Sequence, residues 1–192
     1  MPAATMTPTR GVLALAVLAL IAAGCGSQAP NGPSPVAAQQ QDVKLDWVER
    51  FPEAGPALVF TAAAFSVTGR GWEAAVAIEN ETGIGWELGN DPLSVGQAFG
   101  VMLFETGVLG EVERRNADGE LPGIRAGRTF VPALPLTLAP GESWRGTVSA
   151  PGSLASGRHV RLVFGILTAV GEPPEGLQSQ VVWITDHSYR LR

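Results

Sequence analysis

Asp186, His187 and Ser188 are the three residue types of a hydrolytic relay, in which a carboxylate orients a histidine that activates a hydroxyl nucleophile. Here the three are consecutive, and consecutive residues of a strand project to opposite faces of a sheet. They therefore do not form a relay among themselves, and we interpret them as the polar end of a strand. A hydrolase assembled from distant loops is an alternative, with His187, Asp186 and His159 as its candidate residues.

Other catalytic and metal-binding patterns are weak in this chain. The two histidines are not paired with further ligands at the short spacings of a structural zinc site, so we predict no metal and no cofactor. Two carboxylate pairs, Glu111 with Glu113 and Glu172 with Glu175, are predicted to be solvated surface residues. No glycine-rich loop leads into a helix that would hold a phosphate. The sequence therefore predicts a non-catalytic protein.

Cys25 is the only cysteine of the chain, and it follows an apolar run, residues 11–23, that Arg10 precedes. The run is shorter than the ~20 residues of a membrane span. A charge, an apolar run and small residues are the three parts of a secretory signal. The segment Ala22-Ala-Gly-Cys25 resembles the lipobox of bacterial lipoproteins, with Ala22 where Leu is usual. The resemblance implies cleavage before Cys25, diacylglycerol on its thiol, and a location at the extracytoplasmic face of the cell membrane.

Two other interpretations of the N-terminus remain open, an ordinary secretory signal cut near Ala23 and an uncleaved anchor. On the lipoprotein interpretation, residues 1–24 are the signal peptide, residues 25–41 are the lipidated cysteine with a disordered tether, and residues 42–192 are the folded domain. The tether is predicted because the segment after the cysteine has no charge and is rich in Pro, Gly, Ser and Gln. With its only cysteine at the anchor, the domain has none for a disulfide.

The charge of the chain limits its partners. The net charge of −5 includes Arg10, so it becomes −6 once the signal is removed. The sequence has no basic cluster to hold a phosphate backbone, and we predict no binding to nucleic acid. It also has no polybasic run beside Cys25, so lipid chains rather than charge are expected to hold the protein to the membrane.

The folded part is predicted to be β throughout. The segment Trp72-Glu-Ala-Ala-Val-Ala-Ile-Glu79 alternates with period two, which places Trp72, Ala74, Val76 and Ile78 on the buried face of a sheet. Turn signals separate it from the other candidate strands, which are 58–68, 99–105, 107–114, 128–138, 143–149, 159–169 and 180–191. The prolines of run 128–138 suit an edge or a strand that switches sheets. Residues 42–51 form either a short helix or a leading strand. About seven or eight short strands predict an antiparallel β-sandwich.

Two stretches of this domain follow a known pattern. Ala75-Val-Ala-Ile-Glu-Asn80 is a strand that ends in Asn at a loop, and Leu136-Thr-Leu-Ala-Pro-Gly-Glu-Ser-Trp144 has Pro-Gly at a turn between two strands. In both, the domain resembles the immunoglobulin-like sandwiches of bacterial surface proteins and lipoproteins. The resemblance implies architecture only, because sandwiches of this kind serve many functions.

Trp86 lies in a long glycine-rich connection, residues 83–97. Long loops on a rigid sandwich often carry binding residues. We predict Trp86, Asn90 and Asp91 as a candidate binding loop, in which the indole stacks on a sugar or anchors a protein contact. The alternative is that Trp86 folds back to cover a sheet edge. The other tryptophans expected in the core are Trp72, Trp144 and Trp183.

These features together predict a membrane-anchored, non-catalytic binding or assembly module of the cell envelope. Its expected partners are the membrane, through lipid on Cys25, and another envelope protein or a glycan. The envelope hydrolase is one alternative function. A carrier or sensor of a small ligand is the other, and it requires a large apolar cavity inside the sandwich.

Overall fold

Two antiparallel sheets form in the computed structural model, which describes residues 35–88 and 99–192. Sheet 1 contains, in spatial order, β1 (Gln41–Phe51), β2 (Leu58–Val67), β3 (Gly71–Asn80), β9 (Ser143–Pro151) and β7 (Thr129–Val131). Sheet 2 contains β6 (Arg125–Ala126), β5 (Gly100–Phe104), β10 (His159–Val170), β4 (Gly85–Glu87) and β8 (Thr137–Leu138). Two more strands of sheet 2 pair with the opposite edge of β10, and they are β11 (Gln180–Ile184) and β12 (Tyr189–Arg190).

The prediction of an antiparallel all-β sandwich is confirmed. Seven of the strands have five or more residues, and these agree with the predicted strands to within a few positions at most ends. The ambiguous segment 42–51 is a strand. The segment 180–191 is two strands, because residues 185–188 leave the ladder and form a loop.

Alternating side chains build the core between the sheets. In β3, Trp72, Val76 and Ile78 are buried as the period of two predicts. Phe60 of β2 meets Phe164 of β10, with ring centroids 5.2 Å apart, so that contact joins the two sheets. Each such side chain contributes about 1.5–3 kcal/mol through burial. An internal disulfide is therefore not required for a stable core.

The proline-containing run 128–138 switches sheets, as its prolines indicate. Its first part is β7, which pairs with β9 in sheet 1, and its last part is β8, which pairs with β4 in sheet 2. Pro132 and Pro135 lie in the connection between the two. Proline donates no backbone hydrogen bond, so it is well placed where the chain leaves one ladder for another.

The strand predicted over residues 107–114 is wrong, because this segment forms the helix α1 (Leu109–Asp118). The helix packs Val112 onto the outer face of sheet 2, against Met102 and Val163. Charge pairs four residues apart favour a helix, and Arg114 reaches Asp118 at 2.7 Å. Gly119 ends the helix in the left-handed conformation, with φ of 70°. No helix of residues 35–88 or 99–192 is long and apolar enough to cross a membrane.

The boundary predicted between tether and domain, after residue 41, lies too late in the chain. The amide of Ala38 donates to the carbonyl of Leu154 at 2.7 Å, and the amide of Ser156 donates to the carbonyl of Val36 at 2.8 Å. The amide of Gln39 donates to the carbonyl of Arg192 at 2.7 Å. Backbone pairing needs no particular side chain, so a composition typical of a tether does not prevent it. We call residues 36–39 the N-terminal strap.

Candidate functional site

A seam joins β1 to the C-terminal segment, residues 183–192. The hydroxyl of Tyr189 donates to Oε1 of Gln41 at 3.0 Å. Further along β1, the Trp47 indole stacks on the His187 imidazole, with centroids 5.6 Å apart and planes 23° apart. A bulge between residues 44 and 47 of β1 shifts its register against β2. The seam therefore brings residues of the first strand against residues that are more than 130 positions away in the sequence.

Glu49 is the buried carboxylate of the seam, with 7% of the residue exposed. Its Oε2 accepts hydrogen bonds from Nε1 of Trp183 at 2.6 Å and from the amide of Asp186 at 3.0 Å. Its Oε1 accepts from the amide of His187 at 3.1 Å and lies 2.7 Å from Nδ1 of the same residue. A buried carboxylate is expensive unless it is paired and hydrogen-bonded. Glu49 is hydrogen-bonded through both oxygens, and its contact with His187 is an ion pair when the imidazole is protonated.

Arg161 is the buried cation of the same region, with 0% of the residue exposed. Its guanidinium donates to the carbonyls of residues 185–187 and to the carbonyl of Gly107, the last at 2.8 Å. It also lies 5.8 Å from the centre of the Phe104 ring. Its Nε has no hydrogen-bond partner within the described residues. Arginine keeps its charge in proteins, so this is a buried cation among carbonyl oxygens.

Glu49 and Arg161 together hold the loop 185–188 from opposite sides. The amides of residues 186 and 187 point to the carboxylate, and the carbonyls of residues 185–187 point to the guanidinium. Burial lowers the pKa of Arg161, whereas the charges of Asp186 and Glu49 oppose that change. Burial and then the charge of Glu49 raise the pKa of the Asp186 carboxyl. We call Glu49, Arg161 and this loop the charged clamp.

His187 is the accessible member of this arrangement, with 57% of its side chain exposed. A histidine whose Nδ1 faces a buried carboxylate has the arrangement of an oriented general base. A relay also needs a nucleophile, and Ser188 is not hydrogen-bonded to either histidine in the described part of the chain. Ser188 and His159 both lie against Gly107. A Cβ at that position would be 2.8 Å from Oγ of Ser188 and 2.7 Å from Nδ1 of His159, so only glycine fits there without a shift of these side chains. No hydrogen bond joins the side chains of residues 186–188 to one another in the described part of the chain, and these residues form a loop rather than the strand end that the sequence predicts.

His159 begins β10 and lies opposite Arg190 of β12. Burial first, and then the charges of Arg190 and Arg161, lower the pKa of His159. No hydrogen bond joins His159 to His187 within residues 35–88 and 99–192. Across these ranges, no group of three or more His, Cys, Asp or Glu side chains is arranged to hold a metal ion. The hydrolase candidates His159, Asp186 and His187 are thus neighbours in the fold without forming a complete catalytic set.

Trp86 is fully buried, with 0% exposed, so its prediction as an exposed contact residue is wrong. It lies in the strand β4, paired with β10 on one side and β8 on the other, and so belongs to the sheet itself rather than to a loop that covers a sheet edge. Its Nε1 donates to Oγ1 of Thr82 at 2.9 Å, which fixes the indole. The other members of the candidate binding loop, Asn90 and Asp91, lie outside the described residues and stay a prediction, as does lipidation of Cys25.

Asn80 explains why Trp86 turns inward. Its Nδ2 donates to the carbonyl of Ile84 at 2.8 Å and to the carbonyls of Leu138 and Ala139 at 3.0 Å. Its Oδ1 accepts from the hydroxyl of Thr82 at 2.6 Å. This chain of bonds ties the loop after β3 to β8 and sets Trp86 beneath it. We call Asn80, Thr82 and Trp86 the Asn80 network.

The two carboxylate pairs are surface groups, as expected, although the first lies on α1 and not on a strand. Hydrogen bonds from Arg114 and Arg115 lower the pKa of Glu111 to about 2. A general acid needs a raised pKa, so Glu111 is unsuited to that role. Glu172 and Glu175 are exposed in the loop between β10 and β11.

The cavities among the described residues bear on the carrier or sensor function, which requires a large apolar cavity between the sheets. Between the sheets, a void lined by Trp72, Phe99 and Phe164 among others measures about 10 Å³, roughly one water molecule. That void is too small for a metabolite. Open clefts also lie on the surface of the described residues, and two of them are large. One, of about 450 Å³, is lined by residues 156–157 and 189–192, and the other, of about 660 Å³, is lined by Arg125, Arg128 and Trp72 among others.

Comparison of the chain with protein-family models, with curated proteins and with solved structures returned no match. Function must therefore be inferred from the residues themselves. Glu49 and Arg161 are the two site residues that sequence reasoning missed. The available signals were a glutamate at an inward position of the alternating strand β1 and an arginine inside the apolar run Val160–Phe164.

Proposed function

We propose that the chain is a lipid-anchored, extracytoplasmic binding or assembly module of the cell envelope that has no catalytic activity of its own. Its partners are the membrane, through lipid on Cys25, and an envelope protein or glycan. The observation that carries the proposal is the small number of residues between Cys25 and the first residue that is bonded to the sandwich. Eleven residue steps separate Cys25 from Val36, which span at most about 40 Å. A lipid on Cys25 thus keeps the sandwich close to the bilayer.

A rigid attachment point supports the same proposal. The strap is bonded to residues 154–156 and to Arg192, so tension on the tether acts on the folded sandwich itself. One lipid chain gives only marginal membrane binding, whereas two or more give durable anchoring. The diacylglycerol proposed on Cys25 supplies two chains, and so durable anchoring, without any basic segment beside it.

Substitution of Cys25 by Ser tests the anchor. The wild-type protein should stay with the membrane fraction after a high-salt wash, and the C25S variant should not. Ser27→Ala, two residues away in the same segment, is the matched control and should behave as the wild type. A C25S protein of unchanged membrane association would support the uncleaved anchor. A wild-type protein found only in the soluble fraction would support the ordinary secretory signal.

Binding of a partner is tested by crosslinking in the envelope. Lipidated wild-type protein carrying an affinity tag should recover the same envelope component in repeated experiments. A variant such as Val131→Glu, with a charge on an exposed apolar position of the sheet 1 edge, probes one candidate contact. Recovery of nothing above an untagged control would remove the binding module as the leading proposal.

An envelope hydrolase is the second candidate, and the contact of His187 with the buried Glu49 favours it. If His187 is a general base, His187→Ala should abolish hydrolysis of ester, amide or glycan substrates, while Glu49→Gln should reduce it. Ser188→Ala separates the nucleophile from the base. Equal background rates for the wild type and H187A on all three substrate classes would exclude this candidate for those classes.

A further inference from the structure

We propose that the end of the sandwich where the tether enters is a docking surface for anionic phospholipid headgroups of the bilayer that holds Cys25. The residues of this tether-exit surface are Val36, Arg190 and Arg192. The proposal rests on the proposed lipid anchor. It adds which face of the domain meets the membrane and which lipid chemistry that face recognises.

The fold brings the two arginines to the tether exit. The amide of Gln39 donates to the carbonyl of Arg192, so Arg192 is bonded only three residues from Val36. Three residues span at most about 11 Å. Arg190 belongs to β12, which pairs with the start of β10, and Ser156 just before that start is bonded to Val36. Residues from both ends of the sequence therefore share one surface.

Both arginines point away from the core. Tyr189 is half-buried and bonded to Gln41, and Leu191 is buried, so Arg190 and Arg192 project from the opposite face of an extended segment. Both are exposed. Neither side chain makes a hydrogen bond or an ion pair to another described residue. Together with residues 156–157, they line the open cleft of about 450 Å³.

A third arginine of this region is already paired. Arg158 forms an ion pair with Glu105, so it adds little net charge. Val36 is the exposed apolar residue beside the arginines, with 76% exposed. Two cations next to an exposed aliphatic side chain match the boundary between lipid headgroups and acyl chains, where charge and apolar contact both contribute.

The length of the tether makes the bilayer the occupant of this surface. Charges act over about 8 Å at physiological salt, and a tether of at most about 40 Å lets its own exit point reach that layer. The mature chain has a net charge of −6, so an anionic membrane repels the domain as a whole. A basic pair at the tether exit then determines which face approaches. The two arginines orient the domain, whereas the lipid on Cys25 holds it.

Energy transfer to labelled lipids tests the proposal with the lipidated full-length product. Because Cys25 is the only cysteine and its thiol is acylated in a lipoprotein, a Ser153→Cys variant offers one thiol for a donor dye. The protein is placed on vesicles of phosphatidylcholine, or of phosphatidylcholine with 30% phosphatidylglycerol, each with acceptor lipid at the surface. Transfer should be higher on the anionic vesicles and should fall in high salt.

Charge removal gives the decisive comparison. An arginine near an anionic surface is worth about fivefold in binding, so Arg190→Gln with Arg192→Gln should lower the ratio of docked to undocked protein roughly 30-fold. Arg128→Gln with Arg145→Gln removes the same charge from exposed positions away from the tether exit and should change the ratio less than twofold. Thermal unfolding checks that both double variants stay folded.

The possible results separate the two proposals. If the wild type does not float with vesicles of either composition, the lipid anchor is absent and the docking proposal is overturned with it. If it floats with both but transfers equally on both, the anchor stands and the docking surface does not. Competition by inorganic phosphate, at matched ionic strength, that removes the difference between vesicles would assign the cleft to a small anion and also overturn the membrane-facing surface.

Discussion

Two buried polar regions hold this sandwich together, and they differ in charge and in sequence range. The Asn80 network is neutral, and most of its bonds lie within residues 80–86, with β8 as the distant partner. The charged clamp joins β1, β10 and the loop 185–188 through a carboxylate and a guanidinium. The first region closes a loop onto its own strand, whereas the second fastens the first strand of the sandwich to residues 183–187.

The two regions should differ in how much stability is lost when one of their side chains is replaced. In a neutral network, each buried polar group that is left without a partner lowers the free energy of unfolding by about 1–3 kcal/mol. A buried ion that loses its partner costs about 3–5 kcal/mol, because an uncompensated charge stays buried. The clamp is therefore the more fragile region, and it also has an exposed member, His187.

Arg161→Met should have the largest effect on stability. Methionine fills a similar volume, but it leaves the carbonyls of residues 185–187 and Gly107 without their donor and Glu49 without its nearby cation. We expect the free energy of unfolding to fall by about 3–5 kcal/mol, measured by urea denaturation. Arg145→Met, at an exposed position of β9, is the control and should stay within about 0.5 kcal/mol. A loss below about 1 kcal/mol for R161M would contradict the ranking.

Asn80→Ala should have the next largest effect. It removes the donor for three carbonyls and the acceptor for Thr82, while Trp86 keeps its bond to Thr82. We expect a loss of about 2–3 kcal/mol in the same urea experiment. Asn116→Ala on the exposed face of α1 is the matched control. If N80A costs more than R161M, the neutral network and not the clamp is the more sensitive region.

Glu49→Gln tests the charge of the clamp without removing its shape. The amide oxygen of glutamine still accepts the hydrogen bonds of one carboxylate oxygen. The NH₂ group takes the place of the other oxygen and faces N–H groups that also donate, so those hydrogen bonds are lost. We expect a loss of about 1–2 kcal/mol, with Glu79→Gln on the exposed face of β3 as the control. Because Glu49 and Arg161 act on one loop, the E49Q and R161M losses should not add. Additive losses would mean that the clamp is two separate contacts.

The neutral network was closer to prediction from sequence than the clamp. The strand ending in Asn80 is a local pattern, and the alternation of residues 72–79 placed the core correctly. Trp86 was misplaced because the bond from its indole to Thr82 has no signature in the glycine-rich sequence. Glu49 and Arg161 were missed because their partners lie more than 20 residues away, at 183–187, and only pairing of the strands shows it.

Helix α1 shows a second limit of local patterns. Residues 107–114 alternate well enough to predict a strand, yet the charges of Arg114 and Asp118 pair only in a helix. The lipobox interpretation of Cys25 is of the opposite kind, because it depends on local residues alone and the described fold does not test it. Contacts between charged residues far apart in sequence, and segments that fit both the strand period and the helix period, are thus the features of this chain that local patterns do not predict.

The smallest expected effect is a response to pH at His159, whose pKa is lowered in part by Arg161 of the clamp. Burial, and then Arg190 and Arg161, lower the pKa of His159 below its ordinary value of 6.5. The unfolded chain then takes up a proton near pH 6.5 that the folded chain takes up only at lower pH. Stability from neutral His159 is therefore complete above pH 6.5 and is lost as the pH falls below it.

His159→Gln should flatten the fall in Tm between about pH 7 and pH 5, because glutamine does not titrate in that range. Arg190→Gln removes the second cause of the low pKa and should give an intermediate slope. Asn80→Ala, in the neutral network, should lower Tm by a similar amount at each pH. A wild-type Tm profile parallel to that of H159Q would mean that His159 takes no part in the acid response. That response would then have to arise from groups other than Asp186, because the raised pKa of Asp186 makes folding less favourable as the pH rises and so acts in the opposite direction.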